Sequence, residues 1–345
     1  MFERRGERGE ALDDQLDSIT SVLLETYHLA EEDVADPSIV SQESVFAVGR
    51  ICPAVSTSTA SGVSRLQPVP NGIFLESSKL QGAGQRVPIW FTKDCVITRP
   101  PGDEGDETGA AELLGLFPGI LVGVKGRNGG GEGFGVEEVL LPPALPQVAE
   151  APSTLLASQY GPDQLDGGPL DIVVASGPFT SDEDLEFKPF HSLMTNVERH
   201  RPDVLVLIGP FIPIDHAKLS TSHLLPSDLF QTHFSSRLNR LSPQAKSHTS
   251  VILVPSVADA LSAHAAWPQP AYDKQELGLA KGTRVLPDPA FFSISGIVFG
   301  TSSVDVLRDL RSEEVVVRVR GRGVGAGPPE DVIARAVRHV LSQRR

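Results

Sequence analysis

The chain has 345 residues, which gives room for about two domains of roughly 100–200 residues each. Its net charge of −14 argues against a protein that grips nucleic acid by charge alone, because phosphate contacts need clustered Lys and Arg. The two cysteines, Cys52 and Cys95, lie far apart, so we expect a reducing compartment and no disulfide framework. No apolar run approaches ~18 residues, and we expect no membrane-spanning segment.

Residues 1–43 predict an N-terminal amphipathic helix followed by an acidic linker. Between Ala11 and Tyr27 the apolar residues recur at helical spacing, opposite an acidic face. Such a helix can bind a partner protein, or it can pack on the side of its own domain. The linker follows over Glu31–Glu43.

Residues 44–146 predict an OB-fold β-barrel. Five short strand-like segments in about a hundred residues, separated by Gly-, Pro- or Ser-rich stretches, are typical of this fold. The predicted strands are Val45–Ile51, Gly72–Glu76, Arg86–Phe91, Gly119–Gly126 and Gly133–Leu140. Surface loops are predicted at Pro53–Pro70 and Arg99–Gly109, and a Pro-rich linker at residues 147–168.

Residues 169–345 predict an α/β domain. Val204–Ile208 is a continuous apolar run, typical of a strand buried on both faces of a sheet. Companion strands are predicted at Leu170–Ala175, Ser250–Val254 and Phe292–Gly300. Helices that pack on the sheet are predicted at Phe190–Val197 and Leu224–Leu241. A last helix is predicted from Pro328 to the end of the chain, with its arginines on the face opposite to an apolar face. The apolar face consists of Val332, Ile333, Ala336, Val337, Val340 and Leu341.

The ends of the predicted strands are the candidate functional positions. Their order and spacing resemble the calcineurin-like metallophosphoesterases, in which Asp, Asn and His at these ends hold two metal ions that activate water. Here the corresponding positions carry residues that cannot replace carboxylate and imidazole: Ser176, Pro178, Pro210, Ser256 and Ser302. The resemblance therefore implies a retained α/β sandwich without its metal ligands. The neighbouring pair Asp215–His216 lacks partners, and we interpret it as part of a surface loop.

An ordered series of short peptides runs through the second predicted domain: Ala175-Ser176-Gly177-Pro178-Phe179-Thr180, Arg201-Pro202-Asp203-Val204, Gly209-Pro210-Phe211, Val254-Pro255-Ser256, Trp267-Pro268-Gln269-Pro270, Ile294-Ser295-Gly296-Ile297-Val298-Phe299-Gly300 and Leu341-Ser342-Gln343-Arg344. Together with the order of an OB domain before an inactivated phosphoesterase domain, this series resembles the B subunits of eukaryotic replicative DNA polymerases, and most closely those of DNA polymerase α–primase of the fungal type. Family members are longer at both ends, so we expect this sequence to be truncated and its second domain to be incomplete at the C-terminus.

The resemblance implies a nuclear, non-catalytic subunit that needs no cofactor and no metal. Its expected partners are the C-terminal domain of the polymerase α catalytic subunit and the primase subunits, with DNA contacted weakly or indirectly. Two alternatives stay open at this point. One is an active metal-dependent phosphoesterase or nuclease, which the missing ligands disfavour. The other is an autonomous single-strand-binding OB protein, which the acidic charge balance disfavours.

Basic and aromatic residues bear on any contact with nucleic acid. The short basic segment Val315–Arg322 offers Arg318, Arg320 and Arg322 as candidate phosphate contacts, although it is also typical of a solvated edge strand and loop. The aromatic residues predicted in the barrel strands are expected mostly in the core rather than on a base-stacking surface: Phe46, Phe74, Trp90, Phe91 and Phe134. The basic residues nearest to them are Arg50, Arg86, Lys125 and Arg127.

Overall fold

The structure is a computed structural model, and it describes residues 4–54, 66, 72–101, 112–146, 150–161, 165–241, 249–261, 266–319 and 331–343. The chain divides into two compact units: Met1–Pro146 together with Val306–Arg345, and Gln147–Asp305. Within the described residues, no helix combines the length and the apolar character needed to cross a bilayer. The predicted loops at 53–70 and 99–109 fall largely outside these residues.

The first unit contains a closed five-stranded barrel, as the strand pattern predicts. Its strands are β1 Val45–Pro53, β2 Ile73–Glu76, β3 Arg86–Thr98, β5 Leu121–Arg127 and β6 Phe134–Leu140, in the order β1-β2-β3-β6-β5. Neighbours run antiparallel except β3 and β6, which pair in parallel. A further strand, β4 Glu112–Leu116, pairs with β13 Val315–Val319 outside the barrel.

The helix α1 Glu7–Tyr27 packs on the outside of this barrel. Leu16, Ile19 and Leu23 are buried, and they contact a cluster that includes Phe46 and Leu121. Burying such aliphatic side chains contributes about 2 kcal/mol each before the cost in conformational entropy. The described contacts of α1 therefore agree with the second interpretation of this amphipathic stretch, a helix that packs on the side of its own domain. A short helix, α2 Lys79–Gly82, begins at Ser78, whose hydroxyl accepts the Gln81 N–H.

The second unit is built on a four-stranded parallel sheet. Its strands are β7 Ile172–Ser176, β8 Val204–Ile208, β9 Ser250–Val254 and β10 Arg284–Val285, in the order β10-β9-β8-β7. The first three were predicted from their apolar runs. One face of the sheet packs into a core rich in phenylalanine, and the other carries a smaller aliphatic cluster around Val206 and Ile252.

Two helical stretches supply the phenylalanine core. Helix α4 Lys188–His200 buries Phe190, Met194 and Val197 and ends at Arg201 in the left-handed conformation, directly before Pro202. The second stretch consists of α5 Pro226–Phe230, a π-helical turn Gln231–Ser235 and α6 Ser236–Asn239. The rings of Phe230 and Phe234 stack within it, with centroids 5.0 Å apart. A shorter helix, α3 Pro152–Tyr160, lies inside the stretch that we predicted to be a linker.

The predicted strand Phe292–Gly300 is wrong, because it folds as a hairpin. Strand β11 Ala290–Ile294 pairs antiparallel with β12 Ile297–Thr301 in a separate two-stranded sheet. Ser295 and Gly296 form the two-residue turn, with φ of +48° and +81°. A turn with positive φ at both central residues matches the twist of the strands it joins. The Ser-Gly pair inside the apolar run was the signal for this turn.

The C-terminal elements group with the first compact unit. They are helix α7 Val306–Glu313, strand β13 and helix α8 Val332–Ser342, and the predicted domain at 169–345 stays a prediction. Helix α8 follows its predicted apolar pattern only in part: Ala336 of the apolar face is buried, but so are Arg335 and His339, and Ile333 is exposed. The cause is a buried carboxylate, Glu314, which accepts two hydrogen bonds from the guanidinium of Arg335.

Candidate functional site

Three of the predicted strand ends meet at one edge of the parallel sheet. Ser176 ends β7, Pro210 follows β8 and Ser256 follows β9. Parallel strands bring their carboxyl ends to the same edge, which is where ligands bind in open α/β sheets. Pro178 belongs to the same edge through the turn after β7. Ser302 does not, because it follows β12 of the separate hairpin, where its hydroxyl accepts the Val304 N–H.

The turns at this edge are in direct backbone contact. The Gly177 N–H donates to Ile208 O at 2.8 Å, and the Gly209 N–H donates to Val254 O at 2.9 Å. A Cβ atom on Gly177 would overlap the carbonyl of Pro210, and one on Gly209 would lie 3.0 Å from the Ser256 nitrogen. The peptide bonds that follow these two glycines, to Pro178 and Pro210, are cis. Glycine is therefore required at both turns. The space beside Gly177 is filled by the backbone of Pro210, and the space beside Gly209 is filled by the Asp259 carboxylate and by Ser256.

A buried carboxylate that sequence reasoning missed holds this edge together. Asp259 is 2% exposed. Its Oδ1 accepts the backbone N–H of Phe211 and of Ile212, and its Oδ2 accepts the Tyr272 hydroxyl. Burial raises the pKa of Asp259 to about 6, while these hydrogen bonds act in the opposite direction. Asp259 thus fixes the turn after β8. Its signal in the sequence was its position five residues after the end of β9.

The histidines near this region are engaged by protein groups. His216 is buried, contrary to the predicted surface position: its Nε2 lies 2.9 Å from Ser181 O, and its Nδ1 accepts the Lys218 N–H. His191 Nε2 lies 3.3 Å from His233 Nδ1. In the part of the chain that the structure describes, no three His, Cys, Asp or Glu side chains are grouped so that they could hold a metal ion.

Four basic residues of the barrel strands are paired with glutamates. Arg50 and Arg86 lie 3.7 Å and 2.6 Å from the carboxylate of Glu76. Lys125 and Arg127 pair with the neighbouring strand in the same way, at 4.0 Å from Glu138 and 2.7 Å from Glu137. Carboxylates placed beside them would repel a phosphate backbone.

The aromatic residues follow the prediction in part. Phe46 and Phe134 are buried in the barrel, whereas Trp90 is 44% exposed. Of the candidate phosphate contacts, the backbone of Arg318 lies in β13, paired with Leu113 of β4. Its side chain lies outside the described part of the chain, as do Arg320 and Arg322, so that prediction stays a prediction.

Comparison with known proteins identifies the family. A model of the B subunits of DNA polymerases alpha and epsilon matches residues 172–345, and a model of the OB domain of the DNA polymerase alpha B subunit matches residues 9–94. The chain belongs to this family of polymerase B subunits. Its OB domain and its second, α/β domain are thus both matched to B-subunit models, and the barrel strands β1, β2 and most of β3 lie within the OB-domain match.

The curated relatives of this B-subunit chain carry one name. The chain is 32% identical to the B subunit of DNA polymerase alpha from Schizosaccharomyces pombe over 353 aligned positions, covering 100% of the chain and 54% of the relative. It is 30% identical to the protein of that name from Saccharomyces cerevisiae, covering 100% of the chain and 45% of the relative. For the Drosophila melanogaster protein the identity is 34%, over 66% of the chain and 32% of the relative. The chain spans about half the length of the first two.

Proposed function

We propose that this chain is a non-catalytic accessory and scaffold subunit of the nuclear DNA polymerase α–primase complex. It would bind the C-terminal domain of the catalytic subunit, assemble with the primase subunits, and support primer synthesis when replication initiates. Membership of the polymerase B-subunit family and the names of the curated relatives support this role. No cofactor takes part in it, and any contact with DNA is weak or indirect.

We also propose that the second domain is a calcineurin-like phosphoesterase fold without its catalytic centre. Helices cover one face of its parallel sheet, and an aliphatic cluster that includes hairpin residues Phe292 and Ile294 lies on the other, which is consistent with a layered sandwich. One observation carries the loss of catalysis. Where a two-metal centre needs carboxylate and imidazole ligands, the turns carry Pro178 and Pro210. The backbone of Pro210 fills the space beside Gly177, and Asp259, whose carboxylate is engaged by Phe211, Ile212 and Tyr272, fills the space beside Gly209 with Ser256.

The decisive experiment is co-purification of the full chain with the C-terminal domain of the polymerase α catalytic subunit from its own organism. A stable one-to-one complex on size-exclusion chromatography supports the scaffold role, and absence of complex formation by a folded chain would refute it. A Mn²⁺-dependent phosphodiesterase assay is run on the same fractions.

The hydrolysis assay needs a control for contaminating enzymes. The Asp259→Asn variant removes the buried carboxylate at the strand-end edge and keeps an oxygen for the two backbone N–H groups that it accepts. Hydrolysis that co-purifies with the chain and falls in this variant would show a working phosphoesterase centre and overturn the proposal. Hydrolysis that is equal in both proteins would come from a contaminant.

Autonomous single-strand binding is disfavoured by the charges of the barrel. Arg50, Arg86, Lys125 and Arg127 are paired with Glu76, Glu137 and Glu138. We expect binding of a labelled oligo-dT by the full chain to be weak at about 150 mM salt, where exposed charges are largely screened. Tight binding with a steep dependence on salt concentration would contradict this assignment.

A further inference from the structure

Two histidines of the second unit lie close together near its surface. His191 belongs to the first turn of α4, and His233 belongs to the π-helical turn between α5 and α6. The Nε2 atom of His191 is 3.3 Å from the Nδ1 atom of His233, while the ring centroids are 5.6 Å apart. The two rings therefore approach each other through these nitrogens and not through their faces. Both side chains are partly exposed, so an ion in solution can reach them.

The phenylalanine core holds the backbone of both histidines in place. His191 directly follows Phe190 and His233 directly precedes Phe234, and both phenylalanines are fully buried. The ring of His233 also lies against that of Phe187, with centroids 4.9 Å apart. A π-helical turn is rare in proteins and is frequently found at functional sites. Two side chains on rigid elements keep their separation, which is what a binding site for a small ion requires.

A second hydrogen bond leaves the facing nitrogen of His191 as an acceptor. The ring of His191 makes this bond to the backbone of Glu186. Because Nε2 faces His233, the nitrogen that donates to Glu186 is Nδ1, and Nε2 keeps its lone pair in the neutral ring. A histidine that binds a metal ion usually donates its other ring N–H to a backbone carbonyl or a carboxylate in this way. Burial lowers the pKa of both histidines, which favours the neutral rings that a metal ion binds.

The distance between the two nitrogens suits a zinc ion. Hydrogen bonds donated by N–H groups usually span about 2.7–3.2 Å, so the observed 3.3 Å is longer than most of them. Zinc binds histidine nitrogens at about 2.0–2.1 Å in tetrahedral geometry, which places two such ligands about 3.3–3.4 Å apart. The two nitrogens therefore already have the separation of two zinc ligands, and a tilt of each ring directs both lone pairs to one ion.

Charges of both signs surround the histidine pair. The guanidinium of Arg237 donates to the carbonyl oxygen of His191 at 3.5 Å, and the carboxylate of Glu186 stabilises positive charge at His233. Glu186 is paired with Lys188 at 2.6 Å, but the two side chains are 63% and 70% exposed, and exposed ion pairs are weak. The carboxylate of Glu186 can therefore turn towards a cation held by the two histidines and offset the charge of Arg237.

We propose that His191 and His233 form a binding site for one zinc ion, with water at the remaining coordination positions and the carboxylate of Glu186 beside it. The ion would join α4 to the π-helical turn, and these two stretches supply the phenylalanine core. The site has two protein ligands, shares no residue with the strand-end edge, and would stabilise the fold rather than catalyse a reaction. The proposal rests on the geometry of the second unit and does not depend on the proposed function.

The test is isothermal titration calorimetry of the full chain with zinc chloride at neutral pH. We expect one strong zinc site per chain, and no binding of Mg²⁺ at the same concentration, because Mg²⁺ prefers oxygen ligands. Zinc should also raise the Tm, since an ion that binds only the folded state stabilises it. Absence of zinc binding would show that the two rings share only a hydrogen bond and would overturn the proposal. One zinc ion per two chains would place the ion between copies and would overturn it as well.

Variants locate the site on the chain. His191→Gln and His233→Gln each remove one ligand, so each should weaken zinc binding at least tenfold and abolish the rise in Tm. His200→Gln is the matched control, since His200 is an exposed histidine of the same helix outside the pair, and its affinity for zinc should equal that of the unmodified chain. Both ligands are partly exposed, so we expect the variants to fold, which circular dichroism checks before the titration. Unchanged affinity in either folded variant of the pair would overturn the proposal, because the ion would then bind elsewhere.

Discussion

Replacing Asp259 by alanine tests whether this carboxylate holds the turn after β8. The change removes the acceptor of two buried backbone N–H groups, those of Phe211 and Ile212, and of the Tyr272 hydroxyl. A buried donor left without a partner costs about 1–3 kcal/mol, and the three losses are coupled. We expect Asp259→Ala to lower the free energy of unfolding by about 3–6 kcal/mol at neutral pH. Asp259→Asn keeps an oxygen for the two N–H groups and is expected to cost about 1 kcal/mol.

The pH dependence gives a second, independent readout. Because the pKa of Asp259 is raised from 3.8 to about 6 in the fold, the folded state binds its proton more tightly than the unfolded state. The contribution of Asp259 to the free energy of unfolding is therefore fully present below the unfolded pKa and is lost as the pH rises through the folded pKa. The full shift in pKa corresponds to a loss of about 3 kcal/mol. Relative to Asp259→Asn, the wild type should lose about that amount of stability between about pH 4 and pH 7.

The assay is urea unfolding followed by tryptophan fluorescence. The chain has two tryptophans, and Trp90→Phe leaves Trp267 as a reporter located in the same unit as Asp259. An Asp259→Ala variant that loses less than about 1 kcal/mol would refute the structural role, and so would an Asn variant as unstable as the Ala variant. A wild type and Asn variant whose stability difference is independent of pH across this window would refute the raised pKa.

Three further expectations concern other contacts. Gln343→Ala should cost about 1–3 kcal/mol and speed hydrogen exchange at the first amide of β5, to which its side chain bonds; unchanged exchange would contradict that contact. Gly115→Ala should cost about 1–3 kcal/mol in thermal unfolding, because its Cβ would overlap Glu314 and His339, whereas Gly130→Ala, whose Cβ would meet no atom within 4 Å, should be neutral. Burial lowers the pKa of His191 and His233, so the stability they contribute is present above their unfolded pKa and lost as the pH falls through the lowered, folded pKa. His233→Gln should make the loss of stability at low pH smaller. A loss as large in the variant as in the wild type would contradict a lowered pKa of His233.

Much of the fold could be predicted because local pattern and tertiary structure agree. Each barrel strand was bounded by Gly, Pro or Ser, and the buried strands of the second unit were continuous apolar runs such as Val204–Ile208. Helix α4 had both its apolar face and its stop signal at Arg201–Pro202. Where the pattern failed, a longer-range contact decided the outcome. In α8, Arg335 is on the inner side because it donates hydrogen bonds to Glu314, which lies outside the helix.

The position of the candidate site could be predicted, but the contacts within it could not. Strand ends in a parallel sheet converge by geometry, so the convergence of Ser176, Pro210 and Ser256 followed from the strands alone. The side chain that fills the space between these strand ends could not be predicted in this way. The role of Asp259 depends on hydrogen bonds to Phe211 and Tyr272, each more than ten residues away, and no local pattern encodes such a contact.

The division of the chain into units has a consequence for its synthesis. Residues Gln147–Asp305 form one continuous unit, inserted between the two parts of the other. The hydrogen bonds between Leu121 and Gln343 join residues that are 222 positions apart. At about 5–20 residues per second, a ribosome makes the second of these residues roughly 10–45 s after the first. The inserted unit is therefore translated in full before Gln343 is made. During this interval the backbone N–H and carbonyl of Leu121, at the start of β5, lack the hydrogen bonds that Gln343 provides in the folded chain.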